Sequence, residues 1–206
     1  MNESLFKISS AVKDFYEIPA VRKKLESNDA VRGAFELAYY DNQRTLKGIG
    51  KNPNNKLIKQ TIFEILSKFY KDLSESFNHY SLRDYDGTLR MVYDKIVSAS
   101  TELGHGFSYG QAQKVTNMFF KYMLLVDDRL NRYLNYFHVP LDSIILNGIA
   151  NGAYSAEIRA YAKACMSWSK IEDFGTYMSL QDALRSLYEN PILFEFEVWS
   201  QWKPQP

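Results

Sequence analysis

Apolar residues along most of this chain recur every three or four positions, the spacing of one face of an α-helix. The clearest example is predicted to run from about Asn55 to His79. Its apolar positions are Ile58, Ile62, Ile65, Leu66, Phe69, Leu73 and Phe77. No segment shows sustained alternation with period two, so no substantial sheet is expected. The pattern predicts an all-α fold, a compact bundle of about eight to ten helices forming a single domain over 1–206.

Proline, glycine and capping residues divide the rest of the chain. Further helices are predicted near 3–17, 19–27, 88–101, 108–126, 128–136, 154–167 and 173–189, with another from the Asn28-Asp29 cap to about Lys47. "GIGKNPNN" and "LGHGFSYG" are predicted loops, and "DYDG" at 84–87 a turn. Asp142 can N-cap "SIILNGI", because its carboxylate accepts from the free amides of a first turn. The segment "NPILFEFEVWSQW" suits a short helix or an extended tail.

Composition narrows the class of protein only modestly. The 25 basic and 24 acidic residues nearly cancel, so no strong overall field favours nucleic acid or an anionic membrane. One cysteine, Cys165, and three histidines cannot build the usual Cys/His zinc site, and neither a metal nor a cofactor is predicted. The charged N-terminus and the absence of a long apolar run predict a cytoplasmic protein with no membrane partner.

The predicted helix over 108–126 carries an unusual line of polar residues. Ala112, Val115, Phe119, Tyr122 and Val126 form its apolar stripe. Gln111, Lys114, Asn117 and Lys121 follow the same helical spacing on another face. Two amides and two lysines offer hydrogen-bond donors that suit a backbone phosphate or a base edge. The alternative is an ordinary solvated face.

Two short motifs resemble the helix-hairpin-helix DNA glycosylases. "GQAQKVTN" looks like the glycine-bearing hairpin that runs into the helix of the catalytic lysine, and "HVPLDSII" looks like the later element that supplies the catalytic aspartate. The resemblance implies a glycosylase-like fold, with Lys114 as nucleophile and Asp142 as its assistant. It also implies double-stranded DNA as partner, carrying a flipped damaged base such as 8-oxoguanine, with a lyase step as an option.

The same resemblance implies that Gly110 and the hairpin before it contact a phosphate. The chain departs from the family pattern there, with Ser108 and Tyr109 in place of leucine and proline, and Ala112 in place of the second glycine. A broader similarity, through "GQAQK", "HVPLD", "WSKI" and "FEFEVW", is to a set of small bacterial proteins and implies no activity.

Several other side chains are candidates for binding DNA or substrate. Gln111, Asn117 and Lys121 belong to the polar line. His138 could act as an acid or base, or simply pack, and Trp168 could stack on a base or fill the core. The alternative function is a non-catalytic helical interaction protein, such as a host-defence or regulatory factor, that binds a protein or nucleotide partner. A third is a nucleic-acid-binding domain that kept the fold and lost the chemistry.

Overall fold

A computed structural model describes residues 2–75 and 81–202, the last two without their side chains. This part of the chain is helical without any strand, so the predicted all-α class is confirmed. The α-helices are α1 (Glu3–Ile8), α2 (Ser10–Tyr16), α3 (Pro19–Leu25), α4 (Ala30–Gln43), α5 (Asn55–Glu75), α6 (Leu82–Glu102), α7 (Tyr109–Leu124), α8 (Ser143–Asn151), α9 (Ala156–Ala164), α10 (Phe174–Leu187) and α11 (Pro191–Trp202). Short 3-10 helices span Ile49–Lys51, Asp128–Tyr133 and Trp168–Lys170.

Helix α7 forms the centre of the bundle. It packs along α4 and also contacts α5, α6 and the two 3-10 helices at 128–133 and 168–170. Every residue from Gly110 to Leu124 except Gln111 is buried. The interpretation of the polar line as a solvated face is therefore wrong for Lys114, Asn117 and Lys121, because neighbouring helices cover α7 on all sides.

Two local predictions need correction. The segment 3–17 is not one helix, because Ser9 has an extended backbone (φ −142°) and separates α1 from α2. "DYDG" is not a turn but lies inside α6, whose N-cap is Ser81. Tyr85 and Leu89 bury one face of α6 across this stretch, and this packing outweighs the cost of about 1 kcal/mol for a mid-helix glycine at Gly87.

The C-terminal tail folds as a helix rather than an extended segment. Pro191 occupies its first position, where a missing N–H costs nothing, and α11 packs on α2 and α8. The predicted last turn of the helix from Asn55, with Phe77 and His79, lies outside the described residues. No helix in the described part of the chain is both long and apolar enough to cross a membrane.

Candidate functional site

The first turn of α7 is held by internal contacts. Ser108 and Gln111 form a reciprocal capping box, and the Gln111 amide also donates to the Thr45 carbonyl at 2.9 Å. The Gly110 amide donates to the Ile171 carbonyl at 3.0 Å. A Cβ at Gly110 would lie 1.6 Å from the Trp168 carbonyl oxygen, so only glycine allows this approach. Gly110 and Gln111, which are predicted to contact DNA, anchor α7 to its neighbours in this structure.

Lys114 and Asp142 meet as an ion pair. Lys114 Nζ lies 2.5 Å from Asp142 Oδ2, and the two side chains are 5% and 20% exposed. The other carboxylate oxygen of Asp142 accepts from the amides of Ile144 and Ile145, so the predicted N-cap of α8 is confirmed. Burial alone would raise the pKa of Asp142, but the Lys114 charge and these hydrogen bonds hold it below its ordinary value. Asp142 is therefore a carboxylate at neutral pH.

A second, more deeply buried ion pair lies two turns further along α7. Lys121 Nζ is 2.5 Å from Glu195 Oε2 on α11, with side chains only 1% and 3% exposed. Beyond this contact, neither atom has a hydrogen-bond partner within the described structure. The ammonium also lies 3.9 Å from the ring centre of Phe15 and 4.6 Å from that of Phe196. The Lys121 ammonium thus lies against aromatic rings, and not all of its N–H donors have an acceptor.

Burial dominates the ionisation of this second pair. It lowers the pKa of Lys121 and raises the pKa of Glu195, and the attraction between the two charges offsets only part of each shift. The charges of Lys114 and Asp142 also act on the Lys121–Glu195 pair. The two pairs therefore form one electrostatically coupled cluster.

Both pairs face a single cavity of 590 Å³. Its aromatic walls include Phe15, Tyr122, Trp168 and Trp199. Tyr40 also lines it yet is 73% exposed, which places that ring at the mouth. A concave, partly aromatic space with a few convergent polar groups is typical of a small-molecule site, and its volume falls within the usual range of about 300–1,000 Å³.

Two further predicted site residues lie away from this cavity. Asn117 is buried, accepts from the Tyr93 hydroxyl and donates to the Tyr177 hydroxyl. His138 lies between Tyr177 and Asp86, at 2.5 and 2.9 Å. Burial is the largest cause that lowers the pKa of His138, to about 4, so the ring is neutral at pH 7. In this structure Asn117 connects α7 to α6 and α10, and His138 connects its loop to α6 and α10.

The structure therefore unites some candidates and separates others. Lys114, Lys121, Asp142 and Trp168 line one cavity, whereas Gly110, Gln111, Asn117 and His138 do not. Glu195 was missed. The signal that could have identified it is a charged residue on the apolar face of a helical pattern, since Ile192, Phe196 and Trp199 share its face.

Comparisons with known proteins add no relative from which a role could be transferred. No family model, no curated protein and no solved structure matches this chain.

Proposed function

We propose that this chain is a DNA base-excision glycosylase that uses Lys114 as an amine nucleophile and Asp142 as its proton acceptor. The observation that carries the proposal is their convergence, 28 positions apart in sequence, on the wall of one aromatic cavity. An amine next to a carboxylate in a largely buried site suits covalent chemistry at an electrophilic carbon. The sugar C1′ of a flipped nucleotide is such a carbon.

The proposed step moves one proton and exchanges one bond. The Lys114 ammonium gives a proton to Asp142, and the free amine forms a bond to C1′. The bond from C1′ to the base nitrogen breaks, the base leaves with the electron pair, and the proton held by Asp142 neutralises it. The bond from C1′ to the ring oxygen then breaks and one proton passes from the Lys114 nitrogen to that oxygen, which leaves a protonated Schiff base between Lys114 and C1′. The N-cap bonds keep Asp142 in place throughout.

The second ion pair suits recognition of the base. Lys121 carries N–H donors beside the Glu195 acceptor, and the two residues line the cavity. Once the rings that now cover both atoms move aside, the pair matches a ring edge on which a carbonyl adjoins an N–H. Guanine-type bases, including 8-oxoguanine, present such an edge. Trp168 and Tyr40 line the same cavity and supply rings on which the flipped base can stack.

Borohydride trapping tests this proposal. The native chain, incubated with a duplex that carries 8-oxoguanine, is expected to give a covalent adduct that mass spectrometry maps to Lys114. Lys114→Gln should give none. Asp142→Asn, which keeps an N-cap acceptor, should slow adduct formation by about 10²- to 10⁴-fold, the usual contribution of a positioned acid or base.

Lys59→Gln is the matched control, because Lys59 also pairs with a carboxylate, at 2.6 Å from Glu36, but lies outside the cavity. It should trap like the native chain. Absence of an adduct with 8-oxoguanine, uracil, hypoxanthine and abasic duplexes alike would contradict the Schiff-base mechanism, as would an adduct that survives in Lys114→Gln.

One observation favours a non-catalytic role as the second candidate. Lys114 Nζ and Asp142 Oδ2 are already in contact at 2.5 Å, and Asp142 also caps α8. The pair therefore contributes to the fold even without a substrate. A structural ion pair of this kind is sufficient in a helical protein that only binds a protein or nucleotide partner. Binding of undamaged duplex that weakens with salt, without any adduct, would instead indicate a DNA-binding domain that lacks the chemistry.

A further inference from the structure

Two buried glutamines hold the segment 138–142, which ends at Asp142. Gln113 on α7 donates to the Leu141 carbonyl at 2.9 Å and accepts from the Leu141 amide at 3.1 Å. Gln181 on α10 makes the same pair of bonds to Val139, at 2.8 and 3.0 Å. Each glutamine amide thus pairs with both the N–H and the C=O of one residue. The segment is fixed at two points that are chemically alike.

The two clamps differ in their relation to the cavity. Gln113 immediately precedes Lys114, and Leu141 immediately precedes Asp142. The hydrogen bonds between Gln113 and Leu141 therefore lie directly beside the ion pair on both segments that form it. The Gln113 oxygen also accepts from Asn117 at 3.1 Å, which orients the amide. Gln181 acts on Val139, three residues from Asp142, and adjoins no residue of either ion pair.

We propose that Gln113 is a positioning residue that sets the distance and orientation of the Asp142 carboxylate relative to the Lys114 amine. The role of Gln181 is then limited to holding the segment in the fold. The effect of Gln113 on catalysis rests on the proposed function. Its effect on the placement of Asp142 relative to Lys114 does not depend on that function. Reacting groups must be held closely, because a misplacement of about 1 Å can reduce a rate by 10²-fold.

Gln113→Met and Gln181→Met form a matched pair of variants. Each removes a two-point amide clamp, keeps most of the side-chain volume and leaves the N–H and C=O of one residue without partners. Gln113→Met also removes the oxygen that accepts from Asn117, so it should lose somewhat more stability than Gln181→Met. Only Gln113→Met should slow single-turnover trapping, by about 10- to 100-fold, and shift its pH profile. Gln181→Met should stay within about twofold of the native rate.

A second measurement does not depend on activity. Reductive ¹³C-methylation of the lysines allows NMR titration of the Lys114 amine, assigned by its loss in Lys114→Gln. The Lys114 signal of Gln113→Met should move in the same direction as that of Asp142→Asn, because both weaken the ion pair. In Gln181→Met the signal should stay at its native position. If Gln113→Met does not fold, Gln113→Asn keeps the amide but shortens its reach, and it serves the same comparison.

The outcomes separate the two proposals. If the native chain forms no adduct, the proposed function fails, and the Lys114 signal still tests the clamp. If the native chain forms an adduct and the two glutamine variants slow it equally, the positioning role of Gln113 is overturned while the function stands. A Lys114 signal unmoved in Gln113→Met but moved in Asp142→Asn overturns the positioning role as well.

Discussion

Removing one member of the Lys121–Glu195 pair should be far more damaging than removing both. Each side chain is almost fully enclosed, and the lone charge left behind has no water to solvate it. The remaining group can also change its protonation state and become neutral. The free energy of that change at a given pH is therefore an upper limit on the loss of stability. With a lysine pKa of about 10.4 and about 1.36 kcal/mol per pKa unit, neutralising Lys121 at pH 7 costs about 5 kcal/mol. Neutralising Glu195, with an ordinary pKa of about 4.3, costs about 4 kcal/mol.

The two single variants should therefore respond to pH in opposite directions. In Lys121→Met the buried Glu195 has a raised pKa in the folded state, so the stability of the variant relative to the native chain falls as pH rises from about 5 to 7. In Glu195→Gln the buried Lys121 has a lowered pKa, so relative stability improves as pH rises from about 7 towards 9. Each slope should approach about 1.4 kcal/mol per pH unit.

Urea denaturation followed by circular dichroism across pH 5–9 measures these free energies. The stability of the double variant Lys121→Met/Glu195→Gln relative to the native chain should be nearly independent of pH and should differ by at most about 2 kcal/mol, because no lone charge is buried. The half-buried pair Lys59–Glu36 is the control, and single substitutions there should cost under about 1 kcal/mol. If the free energies of unfolding of the two single variants changed with pH in the same direction, or not at all, the reasoning would be refuted. Neither remaining charge would then be buried without solvation.

Three further outcomes are expected from the same measurement. Gly110→Ala should lose about 1–3 kcal/mol or more, because its Cβ would collide with the Trp168 carbonyl, whereas Gly87→Ala, exposed within α6 and with open space around it, should gain about 1 kcal/mol. His138, whose pKa is lowered from 6.5 to about 4, stabilises the fold above pH 6.5 and loses that contribution as pH falls towards 4. With the series extended down to pH 4, native and His138→Gln chains should diverge by up to about 3 kcal/mol over this interval. Asp142→Ala should lose about 1 kcal/mol more than Asp142→Asn, because asparagine still caps α8.

Local pattern accounts for most of the helices. The spacing of apolar residues located α5, α7 and α10, and capping chemistry identified Asp142 as the start of α8. The failures occurred where burial decided between local alternatives. Gly87 is a turn residue by preference, yet it continues α6 because Tyr85 and Leu89 pack inward on either side of it.

The candidate site was predictable only in part. A resemblance predicts Lys114 and Asp142 as site residues, whereas their spacing in the sequence does not show that they touch. The position of Glu195 on an apolar helix face marks it as unusual, but the sequence does not identify Lys121 as the residue that it meets. Gly110 is predicted as a DNA contact through the same resemblance. The structure gives a packing reason for a glycine at this position, the close approach of the Trp168 carbonyl.

By itself, the amino-acid sequence determined the helical class and the helical line that carries Gln111, Lys114, Asn117 and Lys121, because these follow from intervals of three and four residues. The tertiary structure alone decided that Lys114, Asn117 and Lys121 of this line are buried and which of its members face the cavity. The physical reason is that burial and ion pairing depend on what the other helices bring to α7. Those contacts join residues that are far apart in the sequence, as Lys114 is from Asp142 and Lys121 from Glu195.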